Sequence, residues 1–314
     1  MTVLVTGANG FVGAALCATL ARKPVRLRVA VRHPVAALPG VEVAAINSIG
    51  PQTLWADALQ GCDTVVHLAA RAHVMREEAV DPLAAYRSVN TDGTLHLARQ
   101  AAAAGVRRFV FLSSIKVNGE ATTPGHAFRA SDTAHPQDPY GTSKWEAEQG
   151  LHQIAQDTGM EVVTIRPPLV YGPGVKANFA ALLRAVANQL PLPLGAIHNL
   201  RSLVGLDNLV DLILTCTTHL AAAQQTFLVS DGEDLSTTEL VRCMARAMGQ
   251  PSRLLPVPAW LLQAGARLMG QGAAAQRLCG HLQVDIQHTR DVLGWTPPVT
   301  FNEGLRRTVA AMQP

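Results

Sequence analysis

A glycine-rich turn, Gly7-x-x-Gly10-x-x-Gly13, follows directly on the apolar run Thr2-Val3-Leu4-Val5 and opens an Ala/Leu-rich stretch of helical spacing. No other feature restricts the fold of this chain as much. A strand that turns through three glycines into a helix brings its backbone close to a pyrophosphate and aims the helix N-terminus at that charge. A plain strand-to-helix turn is the alternative, but three glycines at this spacing, at the start of the first strand–helix unit, argue for a dinucleotide. Asn9, Phe11 and Val12 lie in the same loop and join Gly7, Gly10 and Gly13 as cofactor-binding candidates.

The rest of the first half continues that unit. Val3–Val5, Leu27–Val31, Thr64–Leu68, Phe109–Leu112 and Val162–Ile165 are short runs rich in β-branched or aromatic residues and bounded by turn signals. Helical patterns lie between them at Ala14–Arg22, Thr94–Ala104 and Ser143–Thr158. Strict alternation predicts βαβ crossovers and a parallel sheet covered on both faces, a doubly wound α/β fold. After Arg166 prolines and glycines interrupt the pattern, and a strand–helix unit returns at Leu203–Leu214 and Thr226–Val229. The expected division is a dinucleotide-binding part at 1–169 with a returning segment at about 203–232. The smaller, mostly C-terminal substrate-binding lobe then takes 170–202 and 233–314.

Composition excludes several classes of function. The 314-residue chain is 48% hydrophobic and 16% charged, with a formal charge of +3 and no Lys/Arg-rich run, so a nucleic-acid partner is not expected. Five scattered cysteines without CxxC spacing argue against a metal site or a disulfide framework and fit a reducing compartment. The first residues enter a strand at once, which leaves no room for a leader. Trp260–Met269 is apolar but short and carries Arg267, so it reads as a buried or partner-facing helix and not a membrane span. A cytoplasmic location is expected.

The catalytic candidates are Ser114, Tyr140 and Lys144. Tyr140 and Lys144 are four apart on a helical pattern and share one face. An adjacent ammonium is expected to lower the phenol pKa, and the Ser114 hydroxyl to polarise the reacting oxygen. Asn90 reads as the anchor of a relay water or as a helix cap. The strand Leu27–Val31 ends in Arg32 and His33 with no acid nearby, so Arg32 reads as a ribose 2′-phosphate ligand, favouring NADP(H) with NAD(H) possible; a solvated loop arginine is the alternative. Ser48 and Ile49 fall where adenine lies. Leu68, Ala69 and Ala70 offer small contacts along the cofactor, and His67 reads as a satisfied core histidine.

These residues resemble the extended short-chain dehydrogenase/reductases, within the NAD-dependent epimerase/dehydratase group that acts on nucleotide sugars. The resemblance covers nearly the whole chain and rests on Val5–Gly13, Val66–Ala70, Val89–Thr94, Phe111–Ser114, Tyr140–Lys144, Arg166-Pro167, Val170–Pro173 and Leu293–Pro297. It implies Ser114, Tyr140 and Lys144 as catalytic serine, tyrosine and lysine, and Pro167 beside the nicotinamide. Arg201 and Asn178 match diphosphate contacts. Asn118 stands where the family usually has a tyrosine touching the sugar, and Leu169 replaces a frequent asparagine. A homodimer through two long helices, one carrying Tyr140, is implied by the same likeness.

The family's dehydratases carry a Thr-Asp-Glu triplet where this chain has Ser114-Ile115-Lys116, so dehydration is disfavoured. Ser113–Glu120, Lys144–Glu148 and Arg201–Val204 resemble enzymes that reduce UDP-4-keto-6-deoxy-N-acetylhexosamines in bacterial surface-polysaccharide synthesis. With Arg32, this makes a 4-keto reductase of a UDP-linked sugar the expected activity. A 4-epimerase with retained NAD is the alternative. A steroid- or flavonoid-type alcohol dehydrogenase and a non-catalytic dinucleotide sensor are more distant ones.

Overall fold

The computed structural model describes residues 1–32, 40–72, 79–270 and 272–312. Ten strands order it: β1 Thr2–Thr6, β2 Arg26–Val31, β3 Val41–Ala45, β4 Thr64–His67, β5 Arg108–Leu112, β6 Glu161–Arg166, β7 Leu169–Tyr171, β8 Arg201–Gly205, β9 Gln225–Leu228 and β10 Asp234–Leu235. Seven form one parallel sheet in the order β3-β2-β1-β4-β5-β6-β9. Its central strands β1, β4, β5 and β6 are buried almost throughout because both faces are covered.

Successive residues of a strand point to opposite faces, and the packing follows that rule. Val3, Val5, Val66 and Val110 face the helices Phe11–Leu20 and Leu206–Thr218. Leu4, Val65, Phe109 and Phe111 face Thr94–Ala103 and Pro139–Thr158. Trp295 closes the first layer by donating its indole N–H to Asp211 at 2.8 Å.

The returning unit behaves differently from its sequence expectation. Its strand, β8, pairs with β7 and β10 in a separate three-stranded sheet, while the helix Leu206–Thr218 and β9 rejoin the large one. A third apolar cluster gathers against the three-stranded sheet around Tyr171, Phe179, Leu203, Met244 and Phe301. The chain thus crosses between the sheets at β6–β7, at β8–helix, and at β9–β10.

Candidate functional site

The strand order reverses at β1, whose neighbours are β2 and β4, and this opens a crevice at the carboxyl ends of β1 and β4. Gly7 stands there with φ of 71°, and a Cβ on it would lie 2.7 Å from the Ala69 nitrogen. A Cβ on Gly13 would lie 2.0 Å from the Gly7 carbonyl oxygen. The helix Phe11–Leu20 begins without a side-chain cap, so its first N–H groups face the crevice uncapped. A backbone this close, with an uncapped helix start, fits a dinucleotide pyrophosphate. Asn9 is exposed, and Phe11 and Val12 pack on the first apolar layer. Leu68, Ala69 and Ala70 leave β4 half-buried, with Ala69 N–H donating to the Thr6 hydroxyl at 3.3 Å.

Arg32 is exposed at the end of β2, and His33 lies outside the described residues. Ser48 is exposed after β3, its carbonyl accepting from Thr53 at 3.0 Å. Ile49 packs on the second layer and sits over Gly93, where a Cβ would approach it to 3.1 Å.

Tyr140 lies in the first turn of Pro139–Thr158, a helix that starts earlier than its apolar periodicity indicates. Asp138 caps it, accepting from Gly141 N–H at 2.6 Å, with Pro139 in the first turn. Ser114 hydrogen-bonds the Tyr140 phenol, and Tyr86 meets that ring edge-on at 6.0 Å. Loss of solvent pushes the phenol up to about 12, against the pull of the Ser114 hydrogen bond. The expected lowering by Lys144 is absent. That ammonium is turned to the Leu112 carbonyl at 2.9 Å and lies over the Phe111 ring at 4.4 Å. Burial pushes Lys144 down to about 7, with Glu148 opposing.

Two candidates take other roles than expected. Asn118 is buried, donates to the Arg129 carbonyl at 2.9 Å and accepts from Arg166 at 3.0 Å, so its amide is spent within the protein and not on a sugar. Asn90 caps no helix. It is fully buried in a π-helical segment, Arg87–Gly93, where its amide accepts from Arg71 N–H at 2.8 Å and donates to Ser143 at 3.0 Å. It ties the chain beyond β4 to the Tyr140 helix. Sequence reasoning missed the frame beneath the serines: Ser113 donates to Glu148, and Glu148 pairs with Arg166 at 2.5 Å. Lys116 is held by Asp138 and by Glu120 at 2.9 Å.

Arg201 enters β8 half-buried and donates to the carbonyls of Arg277 at 2.8 Å and Gly280 at 3.2 Å. Burial lowers its pKa, Glu120 opposes this, and the nearby Arg277 charge lowers it further. Arg277 is the partner that sequence reasoning missed, because no spacing connects it to Arg201. Asn178 is exposed in the first turn of Ala177–Ala187. Pro167 is buried, and its carbonyl accepts from Ile115 N–H at 3.0 Å.

His67 is a core residue, as its sequence setting indicates. Its ring nitrogens meet the hydroxyls of Thr6 at 2.7 Å and Thr94 at 3.0 Å, and burial pushes it down to about 3. Below the ordinary value of 6.5 the unfolded chain therefore binds the proton more readily. Stability should fall as pH drops from there toward about 3, and His67→Gln should flatten that slope in melting curves taken across the range. An unchanged slope would assign acid sensitivity to other groups.

Comparison with known proteins agrees with this geometry. The model of the NAD dependent epimerase/dehydratase family matches residues 3–230. The chain is 50% identical over 312 residues to a UDP-glucose 4-epimerase of Vibrio cholerae, covering 99% of this chain and 95% of that protein. It is 29% identical over 325 residues to an Escherichia coli O157:H7 N-acetyl-alpha-D-glucosaminyl-diphospho-ditrans,octacis-undecaprenol 4-epimerase, covering 98% and 94%. In fold it is similar to the UDP-glucuronic acid 4-epimerase of Bacillus cereus in complex with NAD, with a TM-score of 0.79, 19% identity, and coverage of 100% and 99%. From the match along most of its length, the chain belongs to the NAD dependent epimerase/dehydratase family.

Proposed function

We propose that the chain is a 4-epimerase of a UDP-linked hexose or N-acetylhexosamine that works with retained NAD(H). The observation carrying this is the 50% identity, along 99% of the chain, to a UDP-glucose 4-epimerase. It moves the reading from the 4-keto reductase expected on sequence to what was there the alternative. A bound nicotinamide supplies the acceptor and donor of the C4 hydride. Tyr140 takes the C4 hydroxyl proton and returns it, and the Ser114 hydroxyl holds the same oxygen. A phenol pushed up to about 12 is a strong proton holder, suited to the return step. Proton removal then needs extra positive charge near the ring, which the oxidised cofactor would supply when bound. Lys144, pushed down to about 7, changes charge near neutrality and passes protons onward. Arg201 and Arg277 supply positive charge for the diphosphate, and Asn178 is a further candidate contact. A homodimer through the Tyr140 helix belongs to the same proposal.

The test is incubation with UDP-glucose, UDP-galactose and their N-acetylated forms without added cofactor, followed by NMR of the anomeric protons. Interconversion with no net change in nicotinamide absorbance is expected. Stoichiometric NADPH loss on a UDP-4-keto-6-deoxy-N-acetylhexosamine, without epimerisation, would restore the reductase.

Arg32 still bears on the cofactor. If it faces the ribose, NADP(H) should bind nearly as well as NAD(H). Arg32→Asp should then cost NADP(H) about tenfold or more in affinity, the worth of one charge-assisted hydrogen bond, and leave NAD(H) little changed. Equal losses for both cofactors would remove Arg32 from the site.

A further inference from the structure

The helix Ala259–Leu268 is amphipathic in the wrong sense for a soluble surface. Its exposed positions are Trp260, Leu261, Ala264, Arg267 and Leu268, which recur at helical spacing and form one stripe. Gln263 lies on the half-buried side, where Ala259 and Leu262 pack against the third apolar cluster. Trp260 is 67% exposed, Leu268 91% and Met269 70%. Single exposed apolar residues are common, but a contiguous stripe of this kind marks a contact surface. The exposed stripe sets aside the buried half of the sequence expectation and leaves the partner-facing half.

Charge indicates what covers that face. Between Glu239 and Asp285 the chain has five arginines and neither Asp nor Glu. Arg267 stands within the stripe, and Arg253, also exposed, precedes the exposed Leu255. A two-fold contact through the stripe would set Arg267 against its own copy, a like-charge arrangement that disfavours self-association. An aromatic and aliphatic face that carries Arg267, in a stretch of chain with arginines and no acids, instead matches an anionic lipid surface, with the indole at headgroup depth and the guanidinium on phosphate.

We propose that this face docks the protein on an anionic bilayer, lying on the membrane without crossing it. No helix among the described residues is long and apolar enough to cross. The docking is independent of which sugar the site turns over.

Flotation of the purified protein with vesicles of equal parts phosphatidylglycerol and phosphatidylethanolamine tests it, with phosphatidylcholine vesicles as control. Binding to the anionic vesicles is expected, weakening as salt rises from about 0.1 M to about 0.5 M. Trp260 is the exposed member of the four tryptophans, so its emission should shift to the blue on binding. Trp260→Ser/Leu261→Ser/Leu268→Ser should bind at least about tenfold more weakly with an unchanged melting temperature. Arg253→Glu and Arg267→Glu should each cost about fivefold or more. No binding by the folded wild type, or equal binding by the serine variant, overturns the proposal. Self-association in the absence of lipid that disappears in the serine variant overturns it in favour of a second copy. Retention on an acidic protein surface without vesicle binding overturns it in favour of a protein partner.

Discussion

Tyr140→Phe should lower the turnover of the sugar nucleotide by about 10³-fold or more while leaving nucleotide affinity within a few-fold. The substitution removes one oxygen. The ring keeps its edge contact with Tyr86, and Lys144 keeps its bond to Leu112, so the fold around the site has no reason to change. What disappears is the hydroxyl beside Ser114, which under the proposed reaction exchanges the C4 proton. Rate and UDP affinity measured on the same preparation check this. Activity within tenfold of the parent would move the acid–base role to another group. Ser114→Ala gives a graded companion result. The hydroxyl pulls the phenol down against the push of burial, so without it the phenol should rise further and the acid limb of the pH–rate profile, where the phenolate forms, should move to higher pH.

The second large effect concerns stability. Arg166 is 4% exposed and Glu148 6%, and they pair beneath the strand end that carries Ser113 and Ser114. Arg166→Met removes the cation and strands a carboxylate that has little access to water. Breaking one half of such a pair costs about 3–5 kcal/mol. For a chain of this size that is a melting temperature lower by on the order of 10 °C. The double variant Glu148→Leu/Arg166→Met should recover most of the loss, because removing both charges also removes the stranded one. A single variant that melts within a degree or two of the parent would show that water reaches Glu148.

Much of this was legible in the chain. Strand–helix alternation and the Gly7 turn are local patterns, and local patterns survive into the fold. His67 was read correctly because a histidine inside an apolar strand has few partners except hydroxyls on its neighbours. The helix-cap reading of Asn90 and the sugar-contact reading of Asn118 failed because their partners, Arg71, Ser143, Arg129 and Arg166, are distant in sequence and carry no periodic signal. The start of the Tyr140 helix was signalled by Asp138-Pro139, a cap followed by a residue that suits a first turn, but periodicity alone placed it later. The Lys144 error was one of direction. Spacing puts lysine and tyrosine on one face, but it does not show that the ammonium turns to a backbone carbonyl.

The three crossings of the chain between its two sheets bear on how such a protein evolves. A lobe entered once and left once is exchanged by recombination or removed at a linker. Here β10 is separated from β7 and β8 by the helix Leu206–Thr218 and β9, which belong with the large sheet, so no single cut frees either part with its strands intact. Change in either part therefore has to accumulate residue by residue, and a graft of the three-stranded sheet from a relative would carry the helix Leu206–Thr218 and β9 of the large sheet with it.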